Sequence, residues 1–406
     1  MKVKKSILLF FLYAIVIFWP DYFFFRGINY LENILAAYSI VFIFNNKKKL
    51  SFFSAVTMLY FASILLSTFL QGGGNIHTLV SNVKIMLFVM VTDIEIEKDD
   101  YDTINVMWLL VFVFSMINFI SLILFPQGVY QVETLWNEWG TISSSPYWIF
   151  GYKNSHAFWY LLLELLTVLK WHLNPTSKNK LLTYISIAVA ITAQLLVASS
   201  TATVACVLGA VGAFYSVSFK AGNNRNRQIN SYWIVALNFI INGMMIFGMT
   251  RFLGPIIQSL FNKDLTFSNR TNAWAIAFSS FLEKPVFGTG ILSADETRKI
   301  LGSLSYMHAH NEWLQCLWQG GILLFGIVIL MLLLIAKQNN EIQNSKLKKM
   351  SDIFLMAVFV EMAFEVWLGS HLTWMMLLVI YRIGGLERLS IINRTRDRQR
   401  RIGRSE

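Results

Sequence analysis

A chain of 406 residues that is 55% hydrophobic and only 14% charged, with a mean hydropathy of +0.53, lies outside the composition of soluble domains. Its net charge of +11 is distributed as a membrane-topology signal, which argues against a nucleic-acid partner. Two cysteines, Cys206 and Cys316, both inside apolar runs, support neither a disulfide scaffold nor a thiolate zinc site.

Apolar runs long enough for a hydrocarbon core of ~30 Å recur along the whole chain, and in lipid such runs must be helices that satisfy their own backbone. About twelve spans are predicted, over residues 6–19, 28–44, 51–70, 76–92, 103–125, 155–171, 181–198, 201–219, 231–250, 311–336, 351–368 and 371–385. The fold class is therefore an all-α integral membrane protein, a single polytopic domain over 1–406. The first run follows a basic start and lacks a small-residue cleavage site before Pro20, so it reads as a retained span. Alternate connections carry the Lys and Arg excess, roughly 25 on one side against roughly 8 on the other, which puts both termini in the cytoplasm. The basic tail, 386–406, reads as a topology determinant facing anionic lipid. The acidic stretch "DIEIEKDDYD" falls on the same side, where Asp and Glu weigh little. Two sizeable connections then face outward, 126–154 and 251–310.

In the first outer loop, Trp136, Trp139, Tyr147 and Trp148 could stack on sugar rings or form an interfacial aromatic belt, and Glu133, Glu138 and Lys153 are polar candidates. The small-residue stretch "ASSTATVACVLGA" between the seventh and eighth spans permits a tight turn and close helix contact. In the larger loop, Trp274, Phe278, Phe281 and Leu282 recur at helical spacing, with Ser268 or Asn269 to cap and Pro285 to follow. A short amphipathic helix is expected there, lying in the interface before the third-last span. Arg270 at its start is unfavourable for the helix dipole, and so asks for an anionic partner: a diphosphate, or ordinary lipid phosphates. "FGTG" at 287–290 lacks the third glycine of a phosphate loop and reads as a turn.

The loop closes on "HAHNE". His308 and His310 could form a metal pair with Glu312, but no further Cys, His or Asp lies close enough in sequence to complete a site, which favours acid–base use; interfacial polar anchoring is the remaining alternative. At the positive end of the following span a neutral imidazole at His310 is favoured, and a neutral imidazole can act as a base. Asn311 is a natural N-cap for that span. Inside the spans, Glu361 and Glu365 stand four residues apart, with Glu164 and Lys84 elsewhere; such groups suit either a proton-coupled transporter or internal ion pairing.

Taken together, "FGYKN" before the sixth span, "SSTAT", the series Arg270, Trp274, Pro285, Gly288 and Gly290, and "HAHNEWLQCLWQGG" resemble the O-antigen ligase and Wzy-type polysaccharide polymerase superfamily over roughly residues 140–330. The resemblance implies a metal-independent, inverting glycosyltransferase that needs no cofactor and uses undecaprenyl-diphosphate-linked donor and acceptor oligosaccharides. It implies a multi-pass protein of the bacterial cytoplasmic membrane with its site facing outward, working beside a flippase and a chain-length regulator. His310 is then the base or orienting group, and Arg270 contacts the diphosphate; His308, Asn311, Glu312 and Trp274 fall into substrate binding. Many ligases carry Ser-Arg at the turn between the seventh and eighth spans, whereas here Ser200 is followed by Thr201, so Lys153 or Arg251 is expected to supply the second cation. A repeat-unit polymerase is the reading that results. A ligase acting on a lipid, wall polymer or protein is the nearest alternative, and a secondary transporter is the alternative from another class.

Overall fold

The computed structural model describes residues 5–72, 76–135, 142–219, 228–247, 270–302 and 307–402. Every expected apolar run holds a helix: α1 (Lys5–Ile17), α2 (Arg26–Asn46), α3 (Phe52–Leu70), α4 (Ile76–Lys98), α5 (Asp100–Leu124), α6 (Ala157–Leu173), α7 (Ser177–Leu196), α8 (Ser200–Ser218), α9 (Ser231–Ile246), α12 (Glu312–Glu341), α13 (Ser345–Phe364) and α14 (His371–Ile402). Six of them are long and apolar enough to cross a membrane by length and composition alone: α2 with its short extension to Lys49, α3, α5, α7, α8 and α12.

Polar side chains set the helix starts by taking up amide hydrogens that have no partner in the first turn. Ser51 accepts from Ser54 N, Asp99 from Asp102 N, Thr176 from Asn179 N and Asn344 from Lys346 N. The acidic stretch thus supplies the cap and first turn of α5. In α6 every residue from Ala157 to Leu169 is buried, and the helix packs against α5, α7 and α8. An apolar helix without a polar face belongs inside a bundle, which is where α6 sits.

Charge pairs tie the bundle together. Lys84 of α4 meets Glu32 of α2 at 2.9 Å, which is the internal pairing among the alternatives for that lysine. Arg382 of α14 binds Asp93 at 2.6 Å and Glu97 at 2.7 Å, and Asp93 also accepts from Ser54 Oγ. Lys348 and Asp352 of α13 pair at 2.7 Å, both buried, and share Ser231 at the start of α9.

The helical architecture holds, with one addition and one correction. In the first outer loop, β1 (Tyr130–Leu135), β2 (Ile142–Trp148) and β3 (Gly151–Tyr152) add a small antiparallel sheet, in that order, to the helices. The sheet is pinned to the bundle by Trp148 Nε1, which donates to Phe125 O at 2.8 Å, and by Phe150, whose ring stacks on Trp159 at 4.2 Å. The larger loop carries two helices, α10 (Arg270–Glu283) and α11 (Ala294–Leu301), and α10 does not present its aromatic face to lipid. Trp274 and Ala277 are buried in a core shared with Leu301 and Trp318, Phe278 packs against it, and Phe281 is buried as well. The expected caps Ser268 and Asn269 lie outside the described residues.

Within α12 the backbone breaks at Gly321, which has φ +63° and ψ −162°. The turn after α10 fills the break. Thr289 N donates to Trp318 O at 2.8 Å and Gly290 N to Gln319 O at 2.9 Å, while Ile322 N donates to Pro285 O at 2.8 Å. From α3, Ser67 Oγ lies within hydrogen-bond reach of both Gln319 O and Phe287 O and shares its one hydrogen between them. "FGTG" is a turn, as its sequence indicates, and its role is to satisfy the backbone groups that the helix break exposes.

Candidate active site

Four separate segments converge at one end of the bundle: the 3-10 turn Lys153–His156 before α6, the start of α10, the residues before α12, and the residue that follows α13. Asn311 sets the position of the third. Its side chain caps α12 by accepting from Leu314 N at 3.0 Å, and its amide donates to Asn242 Oδ1 at 2.9 Å and to Ala363 O at 3.0 Å. Glu312, also buried, accepts from Trp367 N and Leu368 N and so fixes the connection between α13 and α14. His310, just before this frame, has φ +50°, a conformation that non-glycine residues seldom hold unless the surroundings impose it.

Glu365 is the centre of the cluster. Arg270 Nη2 donates to its Oε1 at 2.8 Å and Arg270 Nη1 donates to Phe364 O at 2.7 Å. Asn154 Nδ2 donates to the same Oε1 at 2.7 Å, and Ser199 Oγ, at the turn before α8, holds Asn154 Oδ1 at 3.1 Å. On the other oxygen, His310 Nδ1 lies 3.2 Å and His308 Nε2 3.8 Å from Oε2. The backbone N–H of His310 donates to His308 Nδ1 at 3.1 Å. Burial alone would raise the Glu365 carboxyl, but His310, Arg270 and His308 outweigh it and hold the group below its usual range, as a carboxylate. Burial, then the neighbouring His310, lowers His308 to about 4, so its ring is neutral at ordinary pH.

Such a set can do two things. A carboxylate on Nδ1 fixes an imidazole so that Nε2 is the atom through which it takes up a proton, the arrangement of an oriented general base. Alternatively, His308, His310 and Glu365 bring donor atoms within 4.8 Å of one another, close enough to hold a metal ion. Arg270 weighs against the ion, because its fixed positive charge already occupies the carboxylate.

Residues 185–331 match the O-antigen ligase family model (Wzy_C). The resemblance read from the sequence is borne out over that segment, about a third of the chain, which runs from α7 into α12 and contains Arg270, His308 and His310. It supports a ligase- or polymerase-type activity on membrane-borne glycan. Asn154 and Glu365 lie outside the O-antigen ligase match yet complete the cluster. No curated protein matches the chain.

The expected site residues are thus sorted by position. His310, His308 and Arg270 come together. Asn311, Glu312 and Trp274 are each buried beside the cluster, the first two bonded into its frame. Lys153 stands beside Asn154, with its Nζ 5.5 Å from the centre of the Tyr152 ring. Arg251, like Trp136, Glu138 and Trp139, lies outside the described residues. Arg270 has an anionic partner within the protein in Glu365, a residue weighed in the sequence only as a partner of Glu361. That carboxylate pair does not form a helical face, because α13 ends at Phe364 and Glu365 is extended, with φ −143°. Asn154 was within reach as the asparagine of "FGYKN"; its partner was not.

Proposed function

We propose that the protein polymerises undecaprenyl-diphosphate-linked oligosaccharide repeats at the outer face of the membrane, by inverting transfer without a metal. What carries this is the His310–Glu365–Arg270 cluster. An acceptor hydroxyl gives its proton to His310 Nε2 as its oxygen bonds to the anomeric carbon of the donor, and Glu365 stabilises the imidazolium that forms. The bond from that carbon to the diphosphate oxygen breaks in the same step. Undecaprenyl diphosphate leaves with the electron pair, and the N–H groups of Arg270 not engaged by Glu365 and Phe364 face its developing charge.

An apolar cavity of about 400 Å³ between α9, α10 and α12 suits a prenyl tail; Phe239, Ile246, Phe278 and Trp313 line it. Asn242, which also lines it, is bonded to Asn311, the neighbour of His310. A ligase would use the same groups with a different acceptor, whereas the carboxylate face that would suit a proton-coupled transporter is absent at Glu361 and Glu365.

The test is to incubate the purified protein in detergent with synthetic undecaprenyl-diphosphate repeat units. A ladder of products is expected. A single transfer to a non-repeat acceptor would make the protein a ligase, and absence of turnover with solute uptake in vesicles would overturn the proposal.

A further inference from the structure

The outer sheet carries a feature that the transfer step does not use. Tyr130 of β1 pairs directly with Tyr147 of β2, and Tyr147 with Tyr152 of β3, so three tyrosines occupy matching register positions on one face. Successive ring centres are 5.4 and 5.5 Å apart, and Tyr22, from the turn between α1 and α2, extends the row by stacking on Tyr130 at 5.6 Å. The alternation of the strand sends Trp148 the other way, into the bundle. Tyr22 and Tyr130 remain 43% and 36% exposed, although a ring of that size outside the apolar core gains by being covered.

We propose that this tyrosine row is a glycan-binding platform that holds sugar units of the lipid-linked chain beside the catalytic cluster. Aromatic rings offer an apolar surface to the C–H face of a pyranose, and phenolic hydroxyls exchange hydrogen bonds with sugar hydroxyls. Polar groups flank both ends, Asp21 next to Tyr22 and Lys153 over the Tyr152 ring. The platform is continuous with the site: Asn154, which follows Lys153, donates to Glu365 Oε1. A chain laid along the row would therefore end at the carboxylate that orients His310. The ring spacings are of the order of a pyranose unit, which suits successive sugars better than a single one.

The inference rests on the glycan-transfer reading, so its test measures binding without turnover. The probe is a set of soluble oligosaccharides of two to four repeats, freed from lipid by mild acid from the polysaccharide of the cells that make the protein, and affinity is measured by calorimetry on the full chain in detergent. The paired variant Y130S/Y147S should bind about tenfold or more weakly than wild type, while Y130F/Y147F, which keeps the rings, should stay within about threefold. Binding is read apart from transfer: bound glycan without turnover in the wild type would sink the transfer mechanism alone. Unchanged affinity in the serine pair would overturn the platform. Should that pair lose its thermal transition, hydroxyl-radical footprinting of the wild type decides instead, with Tyr22, Tyr130 and Tyr147 expected to be protected by the oligosaccharide; no protection would equally overturn it.

Discussion

His308 and His310 are two residues apart and do unlike work. His310 presents Nδ1 to Glu365 from a backbone held at positive φ, whereas His308 offers its own Nδ1 to the His310 amide. His310→Ala is therefore expected to lower glycan transfer by about 10²-fold or more, the scale of a positioned acid–base group, and His308→Ala by much less. Chelation with EDTA should leave the wild-type rate intact; loss of activity on chelation, with both alanine variants equally dead, would identify the triad as a metal site. Because His308 is lowered to about 4, it still accepts the His310 N–H when the medium is at pH 5 to 6. Much of this was legible in "HAHNE" and Arg270. Glu365 was not, since its pairings with His310 and Arg270 span 55 and 95 residues and a single sequence carries no sign of them. Its charge at the end of an apolar run was visible; its partners were not.

At the level of elements, hydropathy located twelve helices because burial in lipid and burial in protein demand the same apolar run. For the same reason it misplaced α10, whose aromatic stripe meets Trp318 and Leu301 instead of headgroups. The sheet escaped because its strands are short and carry little apolar alternation: β1 includes Gln131, Glu133 and Thr134, and β2 has three consecutive serines followed by Pro146. The break in α12 could be suspected from "QGG", but not its filling by residues 285–290. That filling makes a sharp prediction for Gly321→Ala. A Cβ there would run into Val286 O, at a φ/ψ pair reserved almost wholly to glycine that costs an L-residue about 1–3 kcal/mol before any clash. We expect a lowered thermal midpoint in detergent and impaired transfer together, whereas Ser67→Ala, which removes a hydroxyl from the same junction, should cost only about 1 kcal/mol. A Gly321→Ala protein with wild-type stability would mean the junction does not hold the turn.

For the whole molecule, the Lys and Arg asymmetry predicts that the cluster faces outward, and labelling checks this directly. Both native cysteines are buried, so background reaction should be low. Gln127→Cys, before the sheet, is expected to react with an impermeant maleimide added to intact cells, and Lys178→Cys, at the start of α7, only after the membrane is opened. Both sites reacting from one side would remove the outward placement. The break at Gly321 also bears on how such a molecule is made. In a bilayer, a backbone carbonyl or amide left without a partner costs several kcal/mol, and the groups at residues 318–323 find theirs in α3 and in the turn at 285–290. A newly threaded α12 consequently has every reason to enter the membrane as one uninterrupted rod. It can bend only once its neighbours are seated, so the geometry around His310 is completed late in biogenesis, by assembly and not by insertion.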